Sequence, residues 1–135
     1  MGEVRHVLVA DDEPHIGRII KLKLERGPFR VTLAFDGREA LEVLSSDDAV
    51  ALAVLDVMMP NLSGFDVLES MRTSERWRDI PCIMLTAAGQ EAQHKRAMAL
   101  GATDFMTKPF SPKKLYQRTA ELLGVARTPD FGPQS

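Results

Sequence analysis

The chain of 135 residues has a single cysteine, Cys82, and few aromatic residues, which make up 6% of the sequence. One cysteine excludes a disulfide within the chain, so the fold must depend on its hydrophobic core. Cys82 lies in the apolar stretch IPCIML, and buried cysteines behave as small hydrophobic residues. We therefore predict that Cys82 packs in the core and is not a reactive thiol.

Long apolar runs are also missing from the chain. No stretch approaches the roughly 20 apolar residues of a membrane-spanning helix, and the N-terminal sequence MGEVRHVLVADDE lacks a cleavable signal pattern. The net charge of −2 gives neither sign an excess, so nothing indicates general attraction to nucleic acid or to an anionic membrane. These absences predict a cytoplasmic protein that binds neither nucleic acid directly nor a membrane.

What the sequence does contain is a regular alternation of apolar strand patterns and amphipathic helix patterns. Strands are predicted at 6–10, 30–35, 49–56, 81–87 and 103–108. The third is apolar throughout, which is typical of a central strand in a parallel sheet covered on both faces. Each strand is followed by a helical pattern. The alternation predicts an α/β fold with a doubly wound, five-stranded parallel sheet.

Local signals place the helix ends. The spacings Asp36–Glu39 and Ser63–Asp66 are those of a capping box and mark two helix starts. The fourth helix is predicted over 92–100, and the fifth is predicted to begin at Ser111 and to end at Gly124. The first helix is predicted to run from Pro14 to Gly27 and to bury one stripe of apolar residues: Ile16, Ile19, Ile20 and Leu24.

The C-terminal residues 125–135, VARTPDFGPQS, differ from the rest of the chain. They are polar, contain proline and glycine, and show no periodicity. Segments of this composition at a chain end are seldom ordered. We predict a flexible tail or the start of a linker.

Polar residues stand where the predicted strands end. Asp11, Asp12 and Glu13 follow the first strand, and Asp56 ends the third. Thr86 lies at the end of the fourth strand, and Lys108 ends the fifth. The carboxyl ends of parallel strands lie along one edge of an open sheet, and ligands bind in the crevice where the strand order reverses. The sequence therefore predicts that four acids, a hydroxyl and an ammonium group meet at one edge.

The chemistry of this set indicates phosphoryl transfer. Clustered carboxylates repel one another unless a cation lies between them, and a set of oxygen ligands without histidine or cysteine suits Mg²⁺. Lysine and threonine beside such an ion can hold phosphoryl oxygens, and a carboxylate can be the nucleophile that forms an aspartyl phosphate. The residues alone predict Mg²⁺-dependent phosphoryl chemistry, with Asp56 as the acceptor.

Four segments of the chain resemble the receiver domain of two-component response regulators, a CheY-like family. They are VLVADDE, LAVLDVMMPNLSGFDVL, PCIMLTA and GATDFMTKPFSPKKL, in the order and at the spacing of that family. The resemblance covers residues 4–124 and implies a receiver domain of flavodoxin-like (βα)5 fold with strand order 2-1-3-4-5. It also implies a signalling switch that catalyses only its own phosphorylation and dephosphorylation.

The resemblance assigns roles to the residues that would bind the metal ion and the phosphoryl group. Asp56 matches the phospho-acceptor. Asp12 and Asp56 match direct Mg²⁺ ligands, Asp11 matches an acid that holds a metal-bound water, and the backbone carbonyl of Met58 matches a third protein ligand. Lys108 matches the lysine that pairs with the phosphoryl group, and its bond to Pro109 matches a cis peptide.

Two further matches concern the switch and its partners. Thr86 matches the hydroxyl that turns toward the phosphoryl group, and Phe105 matches the aromatic residue that turns inward with it. The resemblance implies a sensor histidine kinase as phosphodonor and a downstream protein or output domain that binds the face made by the fourth helix, fifth strand and fifth helix. An alternative is a phosphorelay intermediate, which passes its phosphoryl group to a histidine phosphotransfer domain.

The sequence departs from the family at three positions. Lys114 stands where family members that dimerise through that face commonly carry a glutamate, so this dimer is not expected here, although Arg118 and Asp104 match its other charged residues. Met58 and Ala88 stand where polar side chains in some members orient the attacking water. We therefore predict slow hydrolysis of the aspartyl phosphate.

Two other classes of function fit part of the pattern. A haloacid-dehalogenase-like phosphatase also uses a strand-end aspartate with Mg²⁺, but it needs a second acid two residues later, where this chain has Met58. A flavodoxin-like binding module would need a phosphate loop after the first strand, where this chain has DDEPH. Neither class accounts for all four matching segments.

Each residue also has a purely structural interpretation. Asp11 and Asp12 could serve as helix caps, and Asp56 could be a turn residue at the end of its strand. Thr86 could be an ordinary strand residue, and Lys108 a solvated lysine. Phe105 is equally compatible with an immobile place in the core. The three histidines, His6, His15 and His94, lack metal-ligand spacing and are expected at the surface or in the core. Trp77 is expected to anchor its loop.

Overall fold

A computed structural model describes residues 3–125, which form five parallel strands and five helices in strict alternation. The strand order is β2-β1-β3-β4-β5, which confirms the predicted fold class and the order that the resemblance implies. The elements are β1 (Arg5–Ala10), α1 (Pro14–Leu24), β2 (Phe29–Ala34), α2 (Gly37–Ser45), β3 (Leu52–Asp56), α3 (Gly64–Arg72), β4 (Cys82–Ala87), α4 (Glu91–Ala99), β5 (Asp104–Lys108) and α5 (Pro112–Leu123).

The central strand β3 is buried along its whole length and separates two hydrophobic clusters. Its side chains alternate between the faces of the sheet. Ala53 and Leu55 face the cluster that α2, α3 and α4 cover, whereas Leu52 and Val54 face the cluster that α1 and α5 cover. The continuous apolar pattern therefore arises because helices cover both faces of the sheet.

Side-chain caps fix the starts of three helices. Ser63 and Asp66 form the predicted capping box at α3, and the Ser111 hydroxyl accepts a hydrogen bond from the backbone of Lys114 at α5. At α2 the Asp36 carboxylate accepts from the Glu39 amide at 2.8 Å, as predicted. In a capping box the Glu39 side chain would accept a second hydrogen bond from the amide of the N-cap residue, Asp36. Here the Glu39 carboxylate accepts instead from the amide of Phe35.

The structure corrects the predicted extent of two elements. β3 begins at Leu52 rather than at residue 49, because its pairing with β1 begins at Leu52. Val50 extends the apolar pattern because it is buried, although it lies in the loop before the strand. α1 ends at Leu24, before Gly27. Gly27 is required for another reason, since a Cβ at this position would overlap the hydroxyl of Tyr116.

The buried stripe of α1 was also predicted incorrectly at one position. Gly17, Ile20 and Leu24 form the buried face, whereas Ile19 is 46% exposed. A Cβ on Gly17 would lie 3.3 Å from the Leu33 side chain of β2. Because Gly17 lets β2 approach closely, the helix turns its glycine side toward the sheet and leaves Ile19 outside.

Two predictions about single residues are confirmed, and the prediction about the C-terminal tail concerns residues that are mostly not described. Cys82 is fully buried, and Trp77 packs against the cluster covered by α2, α3 and α4. Among residues 3–125, no helix has the length and apolar character that crossing a membrane requires. Most of the predicted tail, residues 126–135, lies outside the described residues.

Candidate functional site

The carboxyl edge of the sheet brings the predicted polar residues together. Asp11 directly follows β1, Asp56 ends β3, and Lys108 ends β5. β1 and β3 are neighbours in the sheet, although β2 lies between them in the sequence. The strand order therefore reverses at this point, which is where ligands bind in open α/β sheets.

Three carboxylates form an acidic cluster at this edge. One oxygen from each of Asp11, Asp12 and Asp56 lies within 4.8 Å of the others. Asp11 and Asp56 are 1% and 5% exposed, whereas Asp12 is exposed. Asp11 accepts a hydrogen bond at 2.9 Å from the amide of Glu13, the N-cap residue of α1. Because Asp11 and Asp12 also belong to the cluster with Asp56, their interpretation as helix caps alone is wrong.

Lys108 reaches the acidic cluster from β5. Its ammonium nitrogen lies 2.8 Å from Asp11 Oδ2, 3.2 Å from Asp56 Oδ2 and 3.3 Å from Glu13 Oε1. Its side chain is 22% exposed, so the interpretation as a solvated lysine is also wrong. The Lys108–Pro109 peptide bond is cis, as the resemblance implies.

Burial and the neighbouring charges set the protonation of the site. Burial and, after it, the Asp11 carboxylate raise the pKa of Asp56 from 3.8 to about 6, although Lys108 and the Met58 amide act in the opposite direction. Burial alone would lower the pKa of Lys108, but its hydrogen bond to Asp11 and the charge of Asp56 raise it above its usual value. Above pH 6 the edge therefore carries an excess of negative charge beside one ammonium group.

The loop after β3 is held close beneath Asp56. The Gly64 amide donates to the Val57 carbonyl at 3.0 Å, and a Cβ on Gly64 would overlap the Asp56 carbonyl. The Met58 amide donates to the Asp56 carboxylate at 3.3 Å, while 66% of Met58 is exposed. Asn61, at φ 66°, donates to Asp36 of the α2 N-cap at 2.7 Å.

Thr86 lies beside the cluster but turns toward β5. It is 1% exposed, and its hydroxyl donates to the Met106 carbonyl at 3.4 Å. Phe105 is half-buried on β5, and its ring stacks on His94 of α4. Thr86 and Phe105, both predicted as site residues, therefore contact β5 and α4, respectively, and are not part of the acidic cluster.

Sequence reasoning missed two contacts around the site. It placed Glu13 among the acids at the sheet edge but did not predict its contact with Lys108, for which Glu13 supplies the third carboxylate. It placed His94 at the surface or in the core without a partner, and nothing in the local pattern of α4 pointed to Phe105.

The donor set suits a hard divalent cation. Three carboxylates so close together repel one another, and two of them are buried where water screens little of that repulsion. Lys108 supplies one positive charge against this cluster. Oxygen donors of this kind, open to solvent at Asp12, can hold a metal ion together with water molecules.

The comparison with known families agrees with this geometry. The family model described as the response regulator receiver domain matches residues 7–120. The chain belongs to this family. It is a receiver domain of the two-component response regulators, and the resemblance read from the four sequence segments is confirmed.

Named relatives and solved structures are of the same kind. The chain is 43% identical to the response regulator SaeR of Staphylococcus epidermidis over 87% of this chain and 50% of the relative. It is 41% identical to the probable transcriptional regulator ycf27 of Cyanophora paradoxa over 97% and 53%, respectively. The chain thus spans about half the length of the curated relatives it matches.

Solved receiver domains superpose closely on the chain. The receiver domain of the Francisella response regulator 1452 has a TM-score of 0.80 at 36% identity, covering 89% of this chain and 97% of that one. The chemotaxis response regulator CheY4 of Vibrio cholerae has a TM-score of 0.80 at 29% identity, covering 89% and 99%. The phosphatase alternative gains no support, because these matches are receiver domains and Met58 carries no acid.

Proposed function

We propose that this receiver domain accepts a phosphoryl group on Asp56 from a phosphohistidine of a sensor kinase, in a reaction that requires Mg²⁺. The observation that carries the proposal is the position of the Asp56 carboxylate. It is 5% exposed at the switch point of the sheet, 3.2 Å from the Lys108 ammonium and clustered with two further carboxylates. A structural aspartate would gain nothing from this repulsive environment.

The acidic cluster would hold the metal ion. Asp12 and Asp56 would bind it directly, Asp11 would hold a water molecule bound to it, and the Met58 carbonyl would complete the protein ligands. Bound there, Mg²⁺ would offset the negative charge of the phosphoryl oxygens. The ion would also stabilise the Asp56 carboxylate, whose charged form is disfavoured by burial, which raises its pKa.

Asp56 would act as the nucleophile. A carboxylate oxygen of Asp56 forms the new bond to phosphorus, while the bond from phosphorus to the histidine nitrogen breaks and the nitrogen keeps the electron pair. With a pKa of about 6, most Asp56 carboxylates are ionised at neutral pH and able to attack. Lys108 then pairs with the phosphoryl oxygens, in accord with its place between the acids.

The transfer would be coupled to a switch. Thr86 lies on β4, next to Asp56 on β3, and its hydroxyl bond to Met106 is long at 3.4 Å. Exchange of this bond for a phosphoryl oxygen would turn Thr86 toward Asp56. Phe105 would then move into the space beside β4, and the surface of α4, β5 and α5 would change for an output partner.

The phosphodonor has an apolar surface beside the site on which to dock. A groove of about 380 Å³ lies along α1 and the start of α5, and Glu13 and Lys108 line the end nearest Asp56. A kinase helix carrying the phosphohistidine would bring it to Asp56 from this side. The apolar lining of the groove is formed by Ile16, Ile19, Pro109, Phe110 and Pro112.

Phosphorylation of the isolated domain tests the proposal. Acetyl phosphate with Mg²⁺ should add one phosphoryl group to the wild type, seen as a mass gain that hydroxylamine removes. Asp56→Asn should gain none, whereas Asp47→Asn should react like the wild type, because Asp47 is an exposed acid away from the edge. Equal labelling of the wild type and Asp56→Asn would overturn the assignment of Asp56.

The phosphorylated form is proposed to be long-lived. Met58 and Ala88 are exposed beside the site and have no polar group to orient a water molecule. Met58→Asn should therefore shorten the lifetime of the phosphorylated domain several-fold, measured by loss of the mass gain after acetyl phosphate is removed. Met58→Leu serves as the control, and loss from the wild type within seconds would contradict the proposal.

The dimer known from some family members is not proposed here. The Arg118 guanidinium pairs with Asp104 at 2.7 Å and with Glu121 at 3.3 Å within the same chain, and Lys114 is exposed beside them. We expect the same hydrodynamic size with and without beryllofluoride and Mg²⁺. A shift to twice the mass in this experiment would contradict that expectation.

The remaining proposals concern the limits and the place of the domain. Residues 4–124 would fold as one unit, and a kinase and an output partner or domain would complete the pathway. The alternative, a phosphorelay intermediate, predicts that the phosphorylated domain passes its label to a histidine phosphotransfer domain. Incubation of the labelled domain with such a domain distinguishes the two, since a terminal switch would keep the label.

A further inference from the structure

We propose that His94 is a positioning residue that holds Phe105 against α4 and thereby opposes the phosphorylated state. The inference rests on the proposed function, since it concerns the residue proposed to move with Thr86. It arises from one contact: the imidazole of His94 and the ring of Phe105 are stacked, with centroids 4.3 Å apart and planes at 14°.

Polar groups lie near both nitrogens of the His94 ring. Its Nε2 lies 3.4 Å from the Thr107 hydroxyl, two residues beyond Phe105 on the same strand, and its Nδ1 lies 3.7 Å from Glu91 Oε1 on the preceding turn of α4. The His94 side chain is 14% exposed. A ring that is largely buried and hydrogen-bonded to Thr107 restricts the position of the aromatic residue stacked on it.

The contact matters because few side chains attach α4 to the sheet, although Arg96 joins it to α3 by lying over the Phe65 ring, 4.4 Å from the centroid. Among the nine residues of the helix, Ala97 is the buried one, and the N-cap Gln90 makes no side-chain cap. A bond from the Ala87 amide to the Gln93 side chain, at 3.0 Å, ties the helix start to β4. His94 therefore supplies the main aromatic contact between this helix and β5.

The sign of the effect follows from the direction in which Phe105 is proposed to move. A contact made in one state and broken in the other favours the state that has it. If Phe105 leaves α4 when the phosphoryl site is occupied, the stack is lost, so His94 weakens binding of any phosphoryl mimic. Removing the imidazole should strengthen that binding by the free energy of the stack.

The test measures beryllofluoride affinity in the full chain. Beryllofluoride with Mg²⁺ is titrated by following the backbone amide signals of Lys108 and Ala87. His94→Ala should bind roughly 2- to 10-fold more tightly than the wild type, which corresponds to the usual range for an aromatic pair. Thr107→Val, which removes only the hydroxyl contact, should give a smaller increase in the same direction.

Two variants separate positioning from a general effect on the helix. His94→Phe retains a stacked ring and should bind beryllofluoride within about twofold of the wild type. Lys95→Ala changes an exposed residue of the same helix and should leave the affinity unchanged. If Lys95→Ala tightens binding as much as His94→Ala does, the effect belongs to helix stability and the proposal is overturned.

The His94 ring gives a direct signature of the stack. In the wild type without ligand its Hδ2 and Hε1 signals should be displaced by the ring current of Phe105, and beryllofluoride should return them toward the values in Phe105→Leu. Failure of the proposed function would show as absent binding in the wild type. Normal binding with unmoved His94 signals, or with an unchanged affinity in His94→Ala, would overturn the present inference alone.

Discussion

The two ends of strand β3 differ in what they contribute to the protein. Ala53, Val54 and Leu55 are fully buried between two layers of helices, whereas Asp56, one residue further, is buried beside another carboxylate. The apolar residues stabilise the fold, and the acid costs stability unless a cation offsets its charge. The difference teaches that a destabilising acid can end a strand whose buried apolar residues stabilise the fold.

The largest expected effect comes from breaking the apolar part of the strand. Leu55→Ala should lower the free energy of unfolding by about 3 kcal/mol, because it removes buried methyl groups and leaves a cavity. Urea denaturation followed by far-ultraviolet circular dichroism measures the loss. Leu22→Ala is the matched control, since Leu22 is 73% exposed, and should cost less than about 0.5 kcal/mol. Similar losses in both variants would contradict the comparison.

Removing the acid should have the opposite sign. Asp56→Asn should raise the free energy of unfolding by roughly 2 kcal/mol at pH 7 without Mg²⁺, because it eliminates a buried carboxylate whose pKa is raised. Below pH 3.8 the acid is protonated in both folded and unfolded chains, and the advantage of the variant should disappear.

The pH dependence gives this prediction its sharpest form. Between pH 3.8 and about 6 the folded protein retains a proton on Asp56 that the unfolded chain has released. The stability of the wild type should therefore fall relative to Asp56→Asn as the pH rises through this range, and the difference should stay constant above it. A difference that grows toward acid pH would contradict the raised pKa.

A metal ion should reverse the cost of the acids. Mg²⁺ at ten times its dissociation constant should stabilise the wild type by about 1.4 kcal/mol if it binds only the folded chain. The gain should be much smaller in Asp12→Asn and Asp56→Asn, which lose proposed ligands. Thermal unfolding with Mg²⁺, with EDTA and with matched NaCl measures it, and equal stabilisation of all three proteins would exclude the acidic cluster as the site.

The smallest effect is expected at Cys82, in the apolar part of the sheet. Burial raises the pKa of its thiol to about 12, so almost no thiolate exists in the folded protein at pH 8. A thiol reagent such as dithionitrobenzoate should react far more slowly with the native chain than with the chain in urea. Fast reaction under native conditions would show that this part of the sheet opens readily.

Sequence reasoning succeeded where a local pattern reports burial or strand ends. The apolar run before Asp56 predicted a central strand, and the polar residues after the strands predicted which groups share an edge. It failed at Ile19, because the close approach of β2 to Gly17 turns α1, and at the start of β3, because a loop buries Val50. Both errors involve contacts between elements that no local pattern records.

The sequence by itself determined the fold class, the strand ends and the kinds of polar groups at the edge, because hydrophobic period and residue type depend on neighbours along the chain. Only the tertiary structure decided that Lys108 lies within 3.3 Å of three carboxylates, that Thr86 turns toward Met106, and that Phe105 stacks on His94. These are through-space contacts between separate elements, and their geometry depends on how the helices pack against the sheet.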